Sequence, residues 1–597
     1  LWAPTTQDAA DLRMILLRRL ESPTPSGASG VPPREAAVCA DAILAYVACL
    51  RTELKVLQHP LSLRDYLFWA DFVARTHALL GAQAGVVHGA CLVLLDAVGA
   101  QGSAVYGGAS VAARLPARVK AECVARLCGI VGIAPAEAAR MVGVAPSRAL
   151  ATAADPLASR LQRRREAENA AARVGVAPFF VECGEQHSQE GAAFALDAPT
   201  TFDNLVKLLR AMQVGKPLLL EGSPGVGKTA LVATLARLAG HRLVRINLSD
   251  QTDLMDLFGT DLPVDGGFAW CDAPFLRALK RGDWVLLDEI NLASQSVLEG
   301  LNSCLDHRGA VYIAELDREF ALAPGFRVFA AQNPLGQGGG RKGLPRSFVN
   351  RFTQVFMDEL TRDDLLAICR AVYGADSGPV GSPAATQRIL AFNGRMHDAT
   401  MARREFGASG APWEFNLRDV GRFMELARQP SRLEAGRKPV DEFVAMLYIQ
   451  RMRTRADRLH VAALFRAVFE RSIDIRAPAV HVTDGLVQIG NAVLPRRTSS
   501  SSPGGGGAAS EHAARLACLH GQLGALESLA KCVEMRWLAI LVGPAGCGKT
   551  SMVRWLASAT GSRLVEFSMN SGVDTSEIIG GFEQVDIQRH RTALLAR

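Results

Sequence analysis

Residues 218–229 read Leu-Leu-Leu-Glu-Gly-Ser-Pro-Gly-Val-Gly-Lys-Thr, and this stretch decides the fold. The apolar run predicts a buried strand, and the loop after it fits the pattern G-x-x-x-x-G-K-[ST], with a helix starting near Thr229. Glycines let the backbone close around phosphate groups, with the helix N-terminus facing the anion. Lys228 is expected to reach the β- and γ-phosphates of a nucleotide, and Thr229 to hold Mg²⁺. The alternative, a glycine-rich turn without a ligand, is disfavoured by the strand–loop–helix order.

A pair of acids follows another apolar run, at Trp284–Asp288 and Glu289. Parallel strands bring their carboxyl ends to one edge of a sheet, so we expect both carboxylates beside the phosphate loop. Asp288 is expected to bind Mg²⁺ through water, and Glu289 to orient or deprotonate the attacking water. Paired acids also occur as solvated strand ends, but their place downstream of a phosphate loop favours the catalytic interpretation.

Polar residues further along the chain complete the candidate site. Asn333 follows the apolar run Val328–Ala331 and is expected to hydrogen-bond the γ-phosphate and the lytic water; the alternative is an ordinary Asn-Pro turn. Arg351, with Arg346 in reserve, is a candidate for an arginine that acts on a neighbouring module's γ-phosphate, the alternative being a surface salt bridge. Arg418 is a candidate for reporting nucleotide state to the helical region that follows.

The phosphate loop occurs twice, which indicates an internal repeat. Gly222–Thr229 recurs as Gly543–Thr550. Arg242 and Arg563, each followed by Leu-Val, are separated by the same distance along the chain as the two loops. A second similarity relates Leu-Ser-Leu-Arg-Asp at 61–65 to Phe-Asn-Leu-Arg-Asp at 415–419. The sequence therefore predicts tandem modules of about 320 to 350 residues, each an α/β core followed by a helical region.

In the rest of the sequence, the pattern of apolar residues alternates between helical and strand-like segments. Helical spacing predicts helices throughout 1–172 and again after 360. Between them, short apolar runs alternate with helices, which favours a parallel sheet covered on both faces. A serine- and glycine-rich segment, Thr498–Ser510, is expected to be a flexible spacer. The predicted strands are Pro217–Glu221, Leu243–Leu248, Trp284–Asp288 and Val328–Ala331, with Leu538–Val542 and Leu564–Phe567 after the spacer; the predicted later helices are Asp363–Val372, Leu417–Ala427 and Asp441–Arg453.

Composition excludes several classes of protein. The chain has 597 residues, 49% of them apolar and 21% charged, which excludes a mostly disordered chain. Its 12 cysteines show no zinc-site spacing and fit a reducing compartment. A net charge of +7 with 6% aromatic residues gives little support to a nucleic-acid motor. No signal peptide and no uninterrupted membrane-spanning run is visible in this sequence.

These motifs in this order, followed by a helical region, resemble an AAA+ ATPase module. The wording narrows the resemblance to the midasin family of very large, dynein-related AAA+ proteins, over most of 174–495 and 515–590. The stretches that carry it are Asn247–Leu254, Asp288–Asn302, Gly338–Phe348 and Gly580–Asp586.

The resemblance implies a domain order. Residues 1–172 are expected to form the helical lid of a preceding AAA+ module whose core is missing. Residues 173–360 would be an AAA+ α/β core of the P-loop NTPase fold, and 361–496 its helical lid. Residues 497–512 would be a linker, and 513–597 the start of the next core, ending before its acidic motif. We expect the end of the second, the whole third and the start of the fourth of six modules.

The resemblance also implies a function. Six AAA+ modules would form a ring that uses ATP and Mg²⁺ to remodel pre-60S ribosomal particles in the nucleus, releasing assembly factors and promoting maturation and export. We expect no membrane contact and no sequence-specific nucleic-acid contact. The alternative is a structural module that binds nucleotide with little turnover, in another dynein- or MoxR-like ring.

The residues expected to bind metal or nucleotide are divided between the two copies of the repeated module. The metal-binding residues would be Thr229, Asp288 and Thr550. The residues expected to contact nucleotide are Gly222, Ser223, Pro224, Gly225, Val226, Gly227, Lys228, Thr229, Ala230 and Arg418 for the first copy, and Gly543, Pro544, Ala545, Gly546, Cys547, Gly548, Lys549, Thr550 and Ser551 for the second.

Overall fold

The computed structural model divides the chain into two compact units. Unit 1 comprises Leu1–Thr260 and Cys271–Gly374, and unit 2 comprises Asp261–Trp270 and Ala375–Arg597. The predicted spacer Thr498–Ser510 lies outside the described residues. The structure describes residues 8–23, 30–52, 61–97, 117–134, 160–164, 172–184, 195–264, 267–306, 309–333, 343–374, 382–411, 413–429, 438–475, 477–497 and 519–570, together with 573, 578 and 580.

The described part of unit 1 starts with four helices that bury one apolar cluster. Tyr46 and Trp69 lie at the centre of this cluster, with ring centroids 6.3 Å apart. The third helix begins at a capping box in which the Asp65 carboxylate accepts from the Ser62 backbone N–H at 2.9 Å. The helices are α1 (Ala9–Glu21), α2 (Pro33–Thr52), α3 (Leu63–Ala90), which continues as a π-helix over Cys91–Leu95, and α4 (Ala117–Val131).

A small antiparallel sheet follows these helices. It has the order β1 (Leu161–Arg164), β2 (Arg173–Val176) and β3 (Phe179–Glu182). The expectation that residues up to 172 are helical is therefore wrong at its end. Arg163 and Arg164 belong to β1, which pairs with the apolar strand β2, so tertiary pairing overrides the local pattern.

Several shorter elements precede or follow the strands of the main sheet along the chain. The next helices of unit 1 are α5 (Pro199–Ala211), α6 (Lys228–Leu238), α7 (Leu254–Phe258), α8 (Pro274–Arg281), α9 (Gln295–Leu305), α10 (Arg346–Val349) and α11 (Arg362–Tyr373). Two hairpins pair β6 (Gly259–Val264) with β7 (Gly267–Asp272) and β9 (Ala310–Ile313) with β10 (Arg318–Ala321).

A five-stranded parallel sheet positions the candidate site. Its strands are β4 (Leu218–Glu221), β5 (Leu243–Asn247), β8 (Trp284–Asp288), β11 (Arg327–Gln332) and β12 (Thr353–Phe356), in the order β12-β4-β11-β8-β5. All residues of β4 and β8 are buried, as expected for central parallel strands. The four predicted strands of this core are confirmed to within one residue at each end, and so is the predicted fold class.

Unit 2 contains a second helical region and a second small antiparallel sheet. The predicted helix Asp441–Arg453 is shorter than expected, because its α-helix passes into a π-helix that ends at Ile449. The elements are α12 (Pro383–His397), α13 (Leu417–Arg428), α14 (Pro439–Val444) with its π-helix Ala445–Ile449, α15 (Arg455–Phe469), β13 (Val480–Val482), β14 (Leu486–Ile489), β15 (Ala492–Pro495), α16 (Leu523–Glu534) and α17 (Lys549–Thr560).

The repeat is visible in the elements as well as in the sequence. A capping box starts α3 at Ser62, and another starts α13 at Asn416. The π-helices that begin at Cys91 and Ala445 are separated along the chain by the same distance as these two capping residues. The antiparallel pairs β2-β3 and β14-β15 each lie between a helical region and the phosphate loop that follows it. The two helical regions are thus built from equivalent pieces.

The strands predicted for the second core are wrong in this structure. Neither Leu538–Val542 nor Leu564–Phe567 is in a strand, and Leu538 is 99% exposed. In the first core, β4 is hydrogen-bonded to β11 and β12, and β5 to β8. Among the described residues, no strand is hydrogen-bonded to either of the two runs Leu538–Val542 and Leu564–Phe567. An apolar run without strand partners has no ladder of hydrogen bonds to join, so it does not form a strand.

Within the part of the chain that the structure describes, one helical segment is long and apolar enough to cross a membrane by length and composition. It is Leu63–Leu95, with a mean hydropathy of 1.9 in its most apolar window. That window is 61% buried inside the protein, as expected for the core helix of a folded domain. The expected absence of membrane contact stays a prediction.

Candidate nucleotide-binding and catalytic site

The first phosphate loop forms a tight turn at the carboxyl end of β4. Gly225 and Gly227 have φ values of +84° and +87°, which glycine adopts without the cost of a Cβ clash. The loop wraps around Lys228, whose buried Nζ donates to the carbonyl oxygens of Gly222 at 2.6 Å and Ser223 at 3.1 Å. The predicted loop–helix geometry is present, with backbone N–H groups and a lysine available for phosphate oxygens.

Asp288 lies at the carboxyl end of β8, next to the start of α6. Its Oδ2 accepts a hydrogen bond from Thr229 Oγ1 at 3.1 Å, and its Oδ1 accepts from the Glu289 backbone N–H at 3.2 Å. Hydroxyl and carboxylate oxygens are ligands that Mg²⁺ prefers in proteins. Thr229 and Asp288, predicted from separate motifs, thus form one oxygen-lined corner that fits Mg²⁺.

A third residue shares that corner and was missed by sequence reasoning. Arg245 on β5 donates to Asp288 Oδ2 through Nε at 3.1 Å and Nη2 at 2.6 Å. Its side chain is 57% exposed, whereas that of Asp288 is 12% exposed. An arginine in an alternating edge strand gives no local signal of such a contact, because the register that creates it depends on the neighbouring strand.

Asn333 connects the lysine to the second acid. Its Oδ1 accepts from Lys228 Nζ at 2.7 Å, and its Nδ2 donates to Glu289 Oε1 at 2.5 Å. The backbone carbonyl oxygen of Asn333 in turn accepts from Asn291 Nδ2 at 3.1 Å, which helps to hold the backbone at this position. Glu289 has a φ of +55°, a left-handed conformation that is rare outside glycine and marks a position held by its surroundings. The sequence singled out Lys228, Asn333 and Glu289 separately, and the fold joins them into one chain of hydrogen bonds.

A buried carboxylate lies directly before the phosphate loop. Glu221 ends β4, and burial raises the pKa of its carboxyl, although Gln332 and Lys228 act in the opposite direction. Gln332 Nε2 donates to Glu221 Oε2 at 3.0 Å. On the outer side of the loop, Ser223 Oγ donates to Glu359 at 2.7 Å. Neither acid was recognised in the sequence, because a single acid at a strand end is common.

The candidate arginines lie outside this hydrogen-bonded cluster. Arg351 Nε donates to Asn302 Oδ1 on α9 at 2.7 Å, and Arg346 is exposed at the start of α10. Arg418 belongs to unit 2, where its backbone N–H is capped by Asn416 Oδ1 at 2.9 Å. The proposed roles of all three residues therefore stay predictions. Ala230 is exposed in the first turn of α6.

The second phosphate loop repeats the first in outline. Gly546 and Gly548 have φ values of +76° and +87°, and α17 begins at Lys549. Lys549 Nζ donates to the carbonyl oxygens of Gly543 and Pro544, both at 2.8 Å. Cys547 stands where the first loop has Val226, and its carbonyl oxygen accepts from Gln522 at 2.9 Å.

Family models match the two cores and the helical region between them. The AAA domain of the dynein-related subfamily matches residues 217–352 and 539–596. The midasin AAA lid domain matches residues 364–472.

Curated relatives give the same result. A midasin from Dictyostelium discoideum is 40% identical over 618 residues, covering 100% of this chain and 10% of that protein. A midasin from Giardia intestinalis is 39% identical over 409 residues, covering 66% of this chain and 8% of that protein. Protein NorQ from Paracoccus denitrificans is 32% identical over 158 residues, covering 26% of this chain and 52% of that protein. The chain spans about a tenth of the length of the curated midasins that it matches.

The predicted resemblance is thus confirmed by the lid domain, by both core matches and by an alignment that runs through the whole chain. The chain belongs to the midasin family of dynein-related AAA+ ATPases.

Proposed function

We propose that the first core hydrolyses ATP to ADP and phosphate, with magnesium, at the site around Lys228. The observation that carries this proposal is the contact between Asn333 and both Lys228 and Glu289, which ties the phosphate-binding lysine to an acid at the same sheet edge. A module that served only as a nucleotide-filled spacer would not need an acid held in this place.

Each residue has a defined task in this proposal. Lys228 and the loop amides bind the phosphates, and Thr229 and Asp288 hold the metal ion, which neutralises charge on the transferred phosphoryl group. Glu289 orients the attacking water and accepts its proton. Asn333 holds Glu289 and Lys228 at a fixed distance from each other. Its side-chain amide accepts a hydrogen bond from Lys228 and donates one to Glu289. The charge that develops on the γ-phosphate as it is transferred to water is expected to be neutralised by an arginine from the next module, and Arg351 would do the same for the preceding module.

The proposal extends to the whole protein through the family. We infer a ring of AAA+ modules within one chain, acting on pre-60S ribosomal particles in the nucleolus and nucleoplasm. ATP turnover would release assembly factors and promote maturation and nuclear export. Family membership supports this inference. It predicts that the complete protein with Glu289→Gln accumulates pre-60S particles that retain their assembly factors, in a fraction separated by sedimentation. Unchanged particles, or a protein outside the nucleus, would contradict it.

Hydrolysis by this core is tested with Glu289→Gln in the intact ring, in which the phosphate-loop lysines of the other modules, Lys549 included, are replaced by alanine. Gln keeps the shape of Glu289 but cannot accept a proton, so single-turnover hydrolysis is expected to fall by roughly 10² to 10⁴-fold. Nucleotide affinity should change little. Glu299→Gln is the matched control, because Glu299 is exposed on α9 and contacts Gln295. An unchanged rate in Glu289→Gln would favour the alternative, a module that binds nucleotide without turning it over.

A further inference from the structure

Arg245 has a position that brings a fixed positive charge to the proposed magnesium corner. In the parallel register of β5 and β8, Arg245 is opposite Leu286, and Asn247 is opposite Asp288. Residues two apart in a strand share a face and lie about 6.6 Å apart. An arginine side chain spans that distance, so Arg245 reaches forward along the strand to Asp288.

The contact uses the oxygen that the metal site needs. Asp288 Oδ2 accepts from Arg245 Nε at 3.1 Å, from Arg245 Nη2 at 2.6 Å and from Thr229 Oγ1 at 3.1 Å. Three donors on one carboxylate oxygen leave little capacity for a water molecule of a magnesium shell. Asp288 Oδ1 is turned toward the Glu289 backbone N–H at 3.2 Å. A water molecule on a magnesium ion held at this corner would therefore compete with the guanidinium for Oδ2.

Exposure decides which partner can leave. Arg245 is 57% exposed, so its guanidinium can turn into water without losing buried contacts. Asp288 is 12% exposed and stays at the sheet edge. Because the guanidinium carries a positive charge, it opposes a divalent cation whenever it stays near this carboxylate.

We propose that Arg245 competes with magnesium for Asp288 and thereby sets how tightly the first site holds Mg–nucleotide and how quickly it releases Mg–ADP. Arg245 acts here as a positioning residue for Asp288. The proposal rests on the proposed nucleotide site and adds a control on magnesium affinity to it.

The second copy places the opposite charge at this position. In the alignment of the two phosphate loops, Glu566 stands at the position of Arg245. Its carboxylate accepts two hydrogen bonds from Arg554, each of 2.7 Å, at the exposed surface. The cation at position 245 is therefore not a general requirement of the repeated core. It distinguishes the first site from the second.

The test measures magnesium dependence of nucleotide binding, not turnover. The 597-residue chain carries Lys549→Ala, so that the second loop does not bind nucleotide. Fluorescent N-methylanthraniloyl-ADP is titrated with magnesium, and its release is followed after a chase with unlabelled ADP. The variants are Arg245→Gln, Arg245→Met as a second uncharged side chain, and Arg245→Lys. Arg242→Gln is the matched control, because Arg242 is half-exposed just before β5, 4.0 Å from Asp283.

Removal of the charge should lower the magnesium concentration at half-saturation by about tenfold, the loss of one charge-assisted contact, and should slow release by a similar factor. Arg245→Lys, which keeps the positive charge near Asp288, and Arg242→Gln should stay within about threefold of the parent. A decrease smaller than about threefold in both uncharged variants, or an increase, would overturn the inference alone. A parent protein that binds no labelled ADP at any magnesium concentration would overturn the proposed function together with it.

Discussion

Replacement of Asp96 by asparagine should destabilise the attachment of the first helical region to the core of unit 1. Arg210 Nη2 on α5 donates to Asp96 Oδ2 at 2.5 Å, just after the π-helix that extends α3. The two side chains are 2% and 5% exposed. Burial alone would lower the pKa of Arg210, but Asp96, with a further effect from Cys91, more than offsets burial and keeps the pKa above its ordinary value. The guanidinium is therefore charged in a dry environment.

Asp96 supplies the negative charge that neutralises the guanidinium of Arg210. His88 is a titratable neighbour, and burial, with a further effect from Arg210, lowers its pKa to about 3. Cys91 is another, and burial raises its pKa to about 11. Both are uncharged at neutral pH. Breaking a buried ion pair by removing one partner costs about 3 to 5 kcal/mol, and asparagine, which still accepts a hydrogen bond, should fall near 3 kcal/mol.

Hydrogen–deuterium exchange measures this cost where it arises. A loss of about 3 kcal/mol corresponds to roughly 100-fold faster exchange of the backbone amides that become exposed when the π-helix separates from α5. These amides lie in α5 (Pro199–Ala211) and in the π-helix itself. Asp41→Asn is the matched control, since its pair with Arg13 is 43% and 56% exposed, so that solvent screens the pair and its loss should leave exchange almost unchanged. The double variant Asp96→Leu with Arg210→Met should restore slow exchange, because no charge is left buried. The reasoning is refuted if Asp96→Asn exchanges no faster than Asp41→Asn, or if the double variant is as labile as the single one.

Two further predictions concern the site and its support. Asn333→Ala should reduce single-turnover hydrolysis by about 100-fold while ADP affinity stays within about threefold, because the amide positions Glu289 and Lys228; equal losses in both quantities would contradict this. Burial tends to raise the pKa of Asp364, but hydrogen bonds from Thr200 and Thr361 outweigh it and lower the pKa below its ordinary value. Its stabilising effect is thus complete above the unfolded pKa of about 3.9 and is lost as pH falls through the lower folded pKa. Asp364→Asn should cost about 1 to 2 kcal/mol in urea unfolding at pH 7, with a difference that shrinks below about pH 4; a constant difference down to pH 3 would show that ionisation plays no part.

The first core was predictable because its signals are local. For the apolar run Trp284–Asp288 and for the loop Gly222–Thr229, the residues of the segment themselves indicate where it begins and ends and which groups it offers to a ligand. Their spatial meeting follows from one topological rule, the shared carboxyl edge of parallel strands. The two strands of the second core were mispredicted for a non-local reason. Leu538–Val542 has the composition of a strand, but strand formation needs a hydrogen-bonded neighbour, which composition does not report.

Residues that depend on register or on tertiary packing were missed. Arg245 is one, because its contact with Asp288 exists only through the pairing of β5 with β8. The Asp96–Arg210 pair is another, since its two residues are far apart in the sequence. In the second copy, the positions equivalent to Asp96 and Arg210 are Gln450 and Lys531. Lys531 is satisfied within its own surroundings, by Glu534 at 2.9 Å and the Asn491 carbonyl oxygen at 3.2 Å, so the repeat does not reproduce the ion pair.

The contacts between each helical region and the core after it show why repetition alone does not predict them. Phe68 and Arg422 stand at the same place in their helices, counted from the capping residue, and Lys216 and Trp537 stand at the same place before a phosphate-loop lysine. In unit 1 the Lys216 ammonium lies 4.4 Å from the Phe68 ring centroid, and in unit 2 the Arg422 guanidinium lies 5.8 Å from the Trp537 ring centroid. The cation–π contact is kept while cation and ring change sides. If the second helical region replaced the first, Arg422 would lie against Lys216, and two positive charges would meet. Each helical region is therefore compatible with the core that follows it and not with the other core. An alignment of motifs therefore identifies equivalent positions, but the residues that hold one module to the next must be read from the structure of each joint.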